Sequence, residues 1–371
     1  MYNEQMIQEL RKRWNALQQA LAREGGDAIL ITTNVNLFYV SGRIFSGAAY
    51  VRPEGDPLFF VRRPVGLKGG NVIYIRKPEE IAGHLQQRGI PMPAKLFLET
   101  DSISYNEYRR YEKIFDPRVV CNGTQLLRGV RSIKTIYEIG RIMRSGVLHA
   151  RLYERIPSLY RPGMTDTELS IEIERESRRL GSLGIFRIFG QSMEIFMGSL
   201  LAGDNADAPS PYDFALGGAG LDASLPVGGN GTPLTDGTSV MVDMGGNFTG
   251  YMTDMTRVFS VGKLTDRAYR AHDTALEIQR RIEQTAAPGV PAADLYNLAV
   301  RIAADAGLSD YFMGHRQQAG FIGMGSESRS TKRPYSRRGR RKRWFRVWFS
   351  RLNRSSSFRR SEPSASKTVF W

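Results

Sequence analysis

Cysteine is almost absent from this 371-residue chain. Cys121 stands alone, which excludes an internal disulfide and a thiolate metal cluster and fits a reducing compartment. It reads as a small buried apolar residue. Histidine is scarce as well: only His84, His149, His272 and His315 offer imidazoles. No apolar run approaches the roughly 18 residues that a membrane-spanning helix needs, so no membrane partner is expected. The opening stretch, MYNEQMIQELRKRWNALQQALAREGG, is charged throughout and has no apolar leader core, so the expected location is the cytoplasm.

What is present is ordinary for a soluble globular protein. Hydrophobic residues make up 41% and aromatics 10%, and the length suits about two domains. The formal charge of +15 invites a nucleic-acid or anionic-membrane reading, but its location argues against one. Residues 324–371 hold 15 of the 52 Lys+Arg and only two of the 37 Asp+Glu, Glu327 and Glu362, so the preceding 323 residues are nearly neutral. Those last 48 residues also carry three of the four tryptophans and eleven serines, with one alanine and no aspartate or isoleucine. Composition changes at Met324.

Along the chain, Ile7, Leu10, Trp14, Leu17 and Leu21 repeat at helical spacing, and Gly25-Gly26 ends that helix before the β-type run DAILITT. Short apolar runs follow (YVSG, AAYV, PLFFV, NVIYI, KLFLE), with a helical stretch near 78–88. A long helical period then runs through VRSIKTIYEIGRIMRSGVLHARLYERI to the break at Arg161-Pro162-Gly163. The T-D-T-E sequence from Thr165 to Glu168 predicts a capping box and a second helix running to about Gly181. Residues 216–262 read as Gly-rich and strand-like, and residues 266–306 as helical with a break at Pro288–Pro291.

The stretch TSVMVDMGGNFTGYMTDMTRVFSVG, residues 238–262, carries the chemistry. Two β-type runs flank Gly245-Gly246-Asn247, which predicts a reversal there and an antiparallel pair in which Asp243 and Asp254 face each other. Converging carboxylates in apolar runs repel unless a cation separates them, and hard oxygen ligands suit one or two divalent ions. Spacing alone leaves an alternative equally open: two aspartates flanking a turn, one of them paired with Arg257.

The run V-D-M-G-G-N-F-T-G-Y-M-T-D-M-T-R-V-F resembles the signature of the creatinase, prolidase and aminopeptidase P ("pita-bread") metallopeptidases. Support comes also from IKTIYEIGRIMRSG, from RPGMTDTELSIEIERESRRLG and from DAILITTNVNLFYVSG, so the likeness covers most of residues 12–323. The resemblance implies an α/β creatinase-type N-terminal domain over residues 1–130 and an α+β pita-bread domain over residues 131–323, incomplete after Gly323. It implies that Asp243 chelates one metal and Asp254 bridges two. It further implies manganese, cobalt or zinc as cofactor, a bridging hydroxide that attacks an amide of a small peptide substrate at an Xaa-Pro bond, and a homodimer.

Two departures matter. Where such peptidases place a substrate-binding histidine after a proline, LPVGGNG has Val227 after Pro226. The family also draws its other ligands from an H-G-x-G histidine and two later glutamates, whereas this chain reads GFIGMGSESRSTKRP from Gly320. Restoring one nucleotide between the codons of Gly323 and Met324 permits a back-translation containing H-G-I-G, A-L-E-P and G-I-E-N, with the ligand codons at Met324, Asn353 and Lys367. The tail therefore reads as a frameshift product, out of frame and disordered, and the chain as printed is expected to be inactive. The rival readings are a non-catalytic binding protein of the same fold, and a genuine basic tail whose RRGRRKRWFRVWFSRLNR would bind nucleic acid or a membrane surface.

Other residues carry weaker expectations. His315, in YFMGHRQQAG, is a candidate for substrate binding, with a loop role as its alternative. His149 and His272 read as surface or boundary residues. Phe196, Met197 and Phe312 fit core packing better than a substrate pocket, and Gly217-Gly218 with Gly228-Gly229 lack the strand and GxxxxGK context of a phosphate cradle.

Overall fold

The computed structural model describes residues 4–187, 197–212, 217–287, 289–318, 321–322 and 336–337. The chain forms two compact units that divide between Thr135 and Ile136.

In the first unit the apolar runs become a six-stranded sheet in the order β4-β3-β2-β1-β5-β6. The strands are β1 (Ala28–Ile31), β2 (Ser46–Val51), β3 (Leu58–Arg63), β4 (Val72–Tyr74), β5 (Lys95–Leu98) and β6 (Val119–Asn122). β1, β5 and β6 run parallel, and β2 is antiparallel to both its neighbours. AILI is apolar at every position because both faces of the sheet are covered. Ile29 and Ile31 pack with Leu17, Leu21 and Leu127 from helices α1 (Glu4–Arg23) and α5 (Thr124–Ser132). Ala28 and Leu30 pack with Ile81, Leu85, Tyr111 and Phe115 from α3 (Glu80–Gln87) and α4 (Tyr105–Phe115). Two expectations need correction. YVSG is not a strand but the end of helix α2 (Asn34–Ser41), closed by Gly42 at φ 70°. Cys121 is only half-buried, on the edge strand β6.

The second unit opens on α6 (Ile136–Leu159) and α7 (Asp166–Arg179). The long helical period is thus interrupted: Ser132 Oγ donates to the Gly129 carbonyl at 2.6 Å and Ile133 turns extended, so α5 ends before α6 begins. The capping box stands, with Thr165 Oγ1 accepting from Glu168 N and the Glu168 carboxylate accepting from Thr165 N. A three-stranded antiparallel sheet follows: β7 (Gly198–Ala202), β8 (Thr238–Asn247) and β9 (Met252–Val261), in that order. Residues 217–237, which read as strand-like, lie outside the strands. Helices α8 (Asp266–Thr285) and α9 (Ala292–Asp305) come next, then a short antiparallel pair, β10 (Phe321–Ile322) and β11 (Ser336–Arg337). No helix among the described residues is long and apolar enough to cross a membrane.

Candidate metal centre

The β8–β9 hairpin has two chemically different faces, set by strand alternation. Val240, Val242 and Met244 point to the side covered by α6 and α7, where they join Leu152, Ile156, Leu169 and Ile173 in one core. Asp243 and Gly245 point to the opposite side. There Asp243 is in register with Thr256, and Gly245 with Asp254. The two aspartates therefore share a face but sit diagonally, Asp254 lying two residues from the partner of Asp243, rather than directly opposite. Both are half-buried. Thr256, which is buried, donates its hydroxyl proton to Asp243 Oδ1 at 2.5 Å. Ser199 on β7 is in register with Asp243 on its other side.

The reversal is not at Gly245-Gly246-Asn247, which are strand residues; it lies in residues 248–251, where Gly250 takes φ 79°. The paired glycines serve close approach instead. A Cβ at Gly245 would lie 2.1 Å from the Phe186 ring, and one at Gly246 would lie 2.6 Å from both His149 Cγ and Thr253 Oγ1.

Arg257 is no partner for these carboxylates, because alternation turns it to the helix-covered face. It donates to the Thr256 carbonyl at 2.9 Å and stacks 5.7 Å from the Tyr153 ring centroid. Tyr153 ties the two strands together: its hydroxyl donates to carbonyls of Val242 and Met255 and accepts from Met244 N. Burial, with the Asp243 charge adding to it, holds its phenol far above the usual range.

His149 is fully buried rather than at a boundary. Its Nδ1 lies 3.0 Å from Thr253 Oγ1, and its ring packs edge-on against Tyr153. His272 is half-buried, and burial pulls its pKa below 6.5. His315 is exposed; its backbone N–H donates to Asp207 Oδ1, its Nδ1 lies 2.9 Å from the Asp310 carbonyl, and its ring stacks on Tyr311. It lies in the bend formed by residues 315–317. Met197 and Phe312 are buried in the core, while Phe196 lies outside the described residues. Gly228 N donates to the Gly217 carbonyl, and Asn205 holds the Gly228 carbonyl, so these glycines close a loop on itself. Val227 N donates to the Leu225 carbonyl within that loop.

Among the described residues, no group of three or more His, Cys, Asp or Glu side chains converges to hold a cation. Two diagonal carboxylates do not make up a five-ligand dinuclear site, so the described residues do not fit the metal pair that the sequence resemblance implies. Met324, Asn353 and Lys367 lie outside the described residues, and a thioether, an amide and an ammonium are poor substitutes for imidazole and carboxylate at a hard cation. Thr256 and Tyr153 were not apparent from sequence, although the D-M-T spacing carries Thr256 to the face of Asp254 once the strand register is known.

The comparisons agree with this fold. The family model "Metallopeptidase family M24" matches residues 140–342, and the model of the creatinase/prolidase N-terminal domain matches residues 13–133. An uncharacterized peptidase of Staphylococcus haemolyticus is 26% identical over 318 residues, covering 81% of each chain. Among solved structures, an X-Pro aminopeptidase of Thermotoga maritima superposes with a TM-score of 0.72 at 19% identity, covering 89% of this chain and 88% of its own. A prolidase of Pyrococcus horikoshii gives 0.70 at 17% identity, covering 90% and 87% respectively. A hairpin with its acidic pair on the face away from α6 and α7, an N-terminal creatinase-type unit and a match over more than half its length place this chain in metallopeptidase family M24.

Proposed function

We propose that this chain derives from an Xaa-Pro peptidase in which Asp243 and Asp254 supply the acidic half of a two-metal centre, and that the polypeptide as printed does not turn over. The single observation behind this is the hairpin itself: two half-buried aspartates, diagonal across the strand pair, on the strand face away from α6 and α7, with no third ligand among the described residues. Manganese, cobalt and zinc all suit carboxylate oxygen with imidazole, and such ions supply activated water when fully ligated. Here the remaining ligands would come from codons at Met324, Asn353 and Lys367 read in another frame. The nearly neutral body, the abrupt basic tail and the three motifs that a back-translation with one restored nucleotide permits support a frameshift between Gly323 and Met324.

Two measurements test this reading. Resequencing the gene across codon 324 is expected to show that one added nucleotide recovers all three ligand motifs. Purified chain assayed on an Xaa-Pro dipeptide with manganese is expected to release no product. Family-like turnover by this chain would contradict the proposal.

A further inference from the structure

The first unit carries an open cleft of about 850 Å³ at one end of its sheet. It lies outside the carboxyl end of β1, where the strand order reverses. From β1 the chain adds β2, β3 and β4 on one side, then β5 and β6 on the other. Such switch points leave a crevice between diverging connections, the usual ligand position in open α/β sheets.

A break in the ladder shapes the cleft's chemistry. Gly47 pairs with Val61, but the next residue, Ser46, pairs with Arg63, so Arg62 is an extra residue in β3. In a regular strand Arg62 and Arg63 would point to opposite faces; the bulge re-aims them to the same one. Arg62 follows the face of Phe60, and Arg63 follows its partner Ser46, so both line the cleft. The bulge requires a glycine opposite: a Cβ on Gly47 would lie 1.9 Å from the Phe60 carbonyl oxygen. Neither guanidinium has a salt-bridge partner among the described residues.

The nearby carboxylates are already engaged. Glu107, on the rim, accepts from Ser104 N and Oγ in the capping box of α4. Glu99 is buried and takes the amides of Thr32 and Thr33, the Thr33 hydroxyl and the Asn36 amide, so the N-terminus of α2 is satisfied from within the protein. Tyr111, only 7% exposed, lines the cleft without a hydrogen-bond partner among the described residues. Burial, with the Glu107 charge adding to it, pushes its phenol up to about 12 against the lowering influence of Arg110 and Arg62, so it remains a donor at neutral pH. Ala48, Ile75 and Ile81 form an apolar floor.

We infer that this cleft binds a small organic acid, its carboxylate or phosphate held by Arg62 and Arg63 with the Tyr111 hydroxyl and its apolar body laid on Ala48, Ile75 and Ile81. Planar guanidiniums with unused N–H groups match either headgroup. The inference lies within the first unit and does not rest on the proposed function.

Calorimetric titration of the full chain tests it. The probes are N-acetyl-L-phenylalanine, its uncharged amide, phenyl phosphate and inorganic phosphate. One of the two aromatic anions is expected to bind with a Kd of about 1 mM or tighter, and the better one identifies the headgroup. The amide should bind at least about tenfold more weakly, as should either anion to Arg62→Gln or Arg63→Gln. Tyr111→Phe, which keeps the ring packing, should weaken binding about threefold. Arg118→Gln, at the amino end of β6, removes the same charge and should leave affinity unchanged, as should Asp243→Asn. Circular dichroism checks that each variant is folded. The inference is overturned if acid and amide bind alike, if inorganic phosphate matches phenyl phosphate, if folded Arg62→Gln binds like the parent, or if neither aromatic anion binds up to about 10 mM.

Discussion

Gly246 shows what a single residue does at the hairpin. It is in register with Thr253, and an added methyl would press on both His149 and Thr253, so Gly246→Ala is expected to destabilise the chain by about 1–3 kcal/mol in denaturant titration. Gly140 is the opposite case. It is exposed inside α6 with open space beyond it, so Gly140→Ala is expected to stabilise by up to about 1 kcal/mol. Equal effects of the two substitutions would mean that α6 does not pack on the hairpin as described. That the aspartates at 243 and 254 lie on paired strands was legible in the sequence, whereas their direct opposition was not borne out. The role of the glycines between them was not, because Phe186 and His149 approach from distant parts of the chain that local patterning cannot reveal.

At the scale of elements, local chemistry was the most readable. The T-D-T-E box folds as its pattern implies because both of its hydrogen bonds lie within one helical turn. Thr165→Ala should therefore cost about 1 kcal/mol, read as a shift in denaturation midpoint. The junction between α5 and α6 was not readable, since Ser132 and Ile133 end the first helix through a side-chain bond and an extended residue within an unbroken apolar period. The reading of YVSG failed for a related reason: Val40 and Tyr39 are buried on a short helix whose apolar run mimics a strand. Helix α8 is where a pH dependence of stability is expected. His272 is held below 6.5 by burial, with Asp273 acting the other way. Above pH 6.5 it is neutral in both folded and unfolded chains; as the pH falls below that, the unfolded chain takes up the proton first and stability declines until the lower folded value is passed. His272→Gln should flatten this part of the stability profile, and an unchanged slope between about pH 7 and 5 would exclude burial of His272 as its source.

Over the whole molecule, both units and their order were legible once the hairpin motif had been matched to a family, and both family models bear this out. Composition alone would have misled, because the charge of +15 is concentrated in the last 48 residues and says little about the body. The strand register that sets the two carboxylates diagonally needed the structure, as did the bulge that brings Arg62 and Arg63 to one face. The most direct test of the central claim is the metal content of two purified proteins after manganese loading and gel filtration: this chain, and the chain expressed with one nucleotide restored before codon 324. The account predicts about two ions per restored chain and well below one per chain as printed, since two carboxylates alone do not retain an ion pair. Two tightly held ions on the printed chain, or none on the restored one, would contradict it.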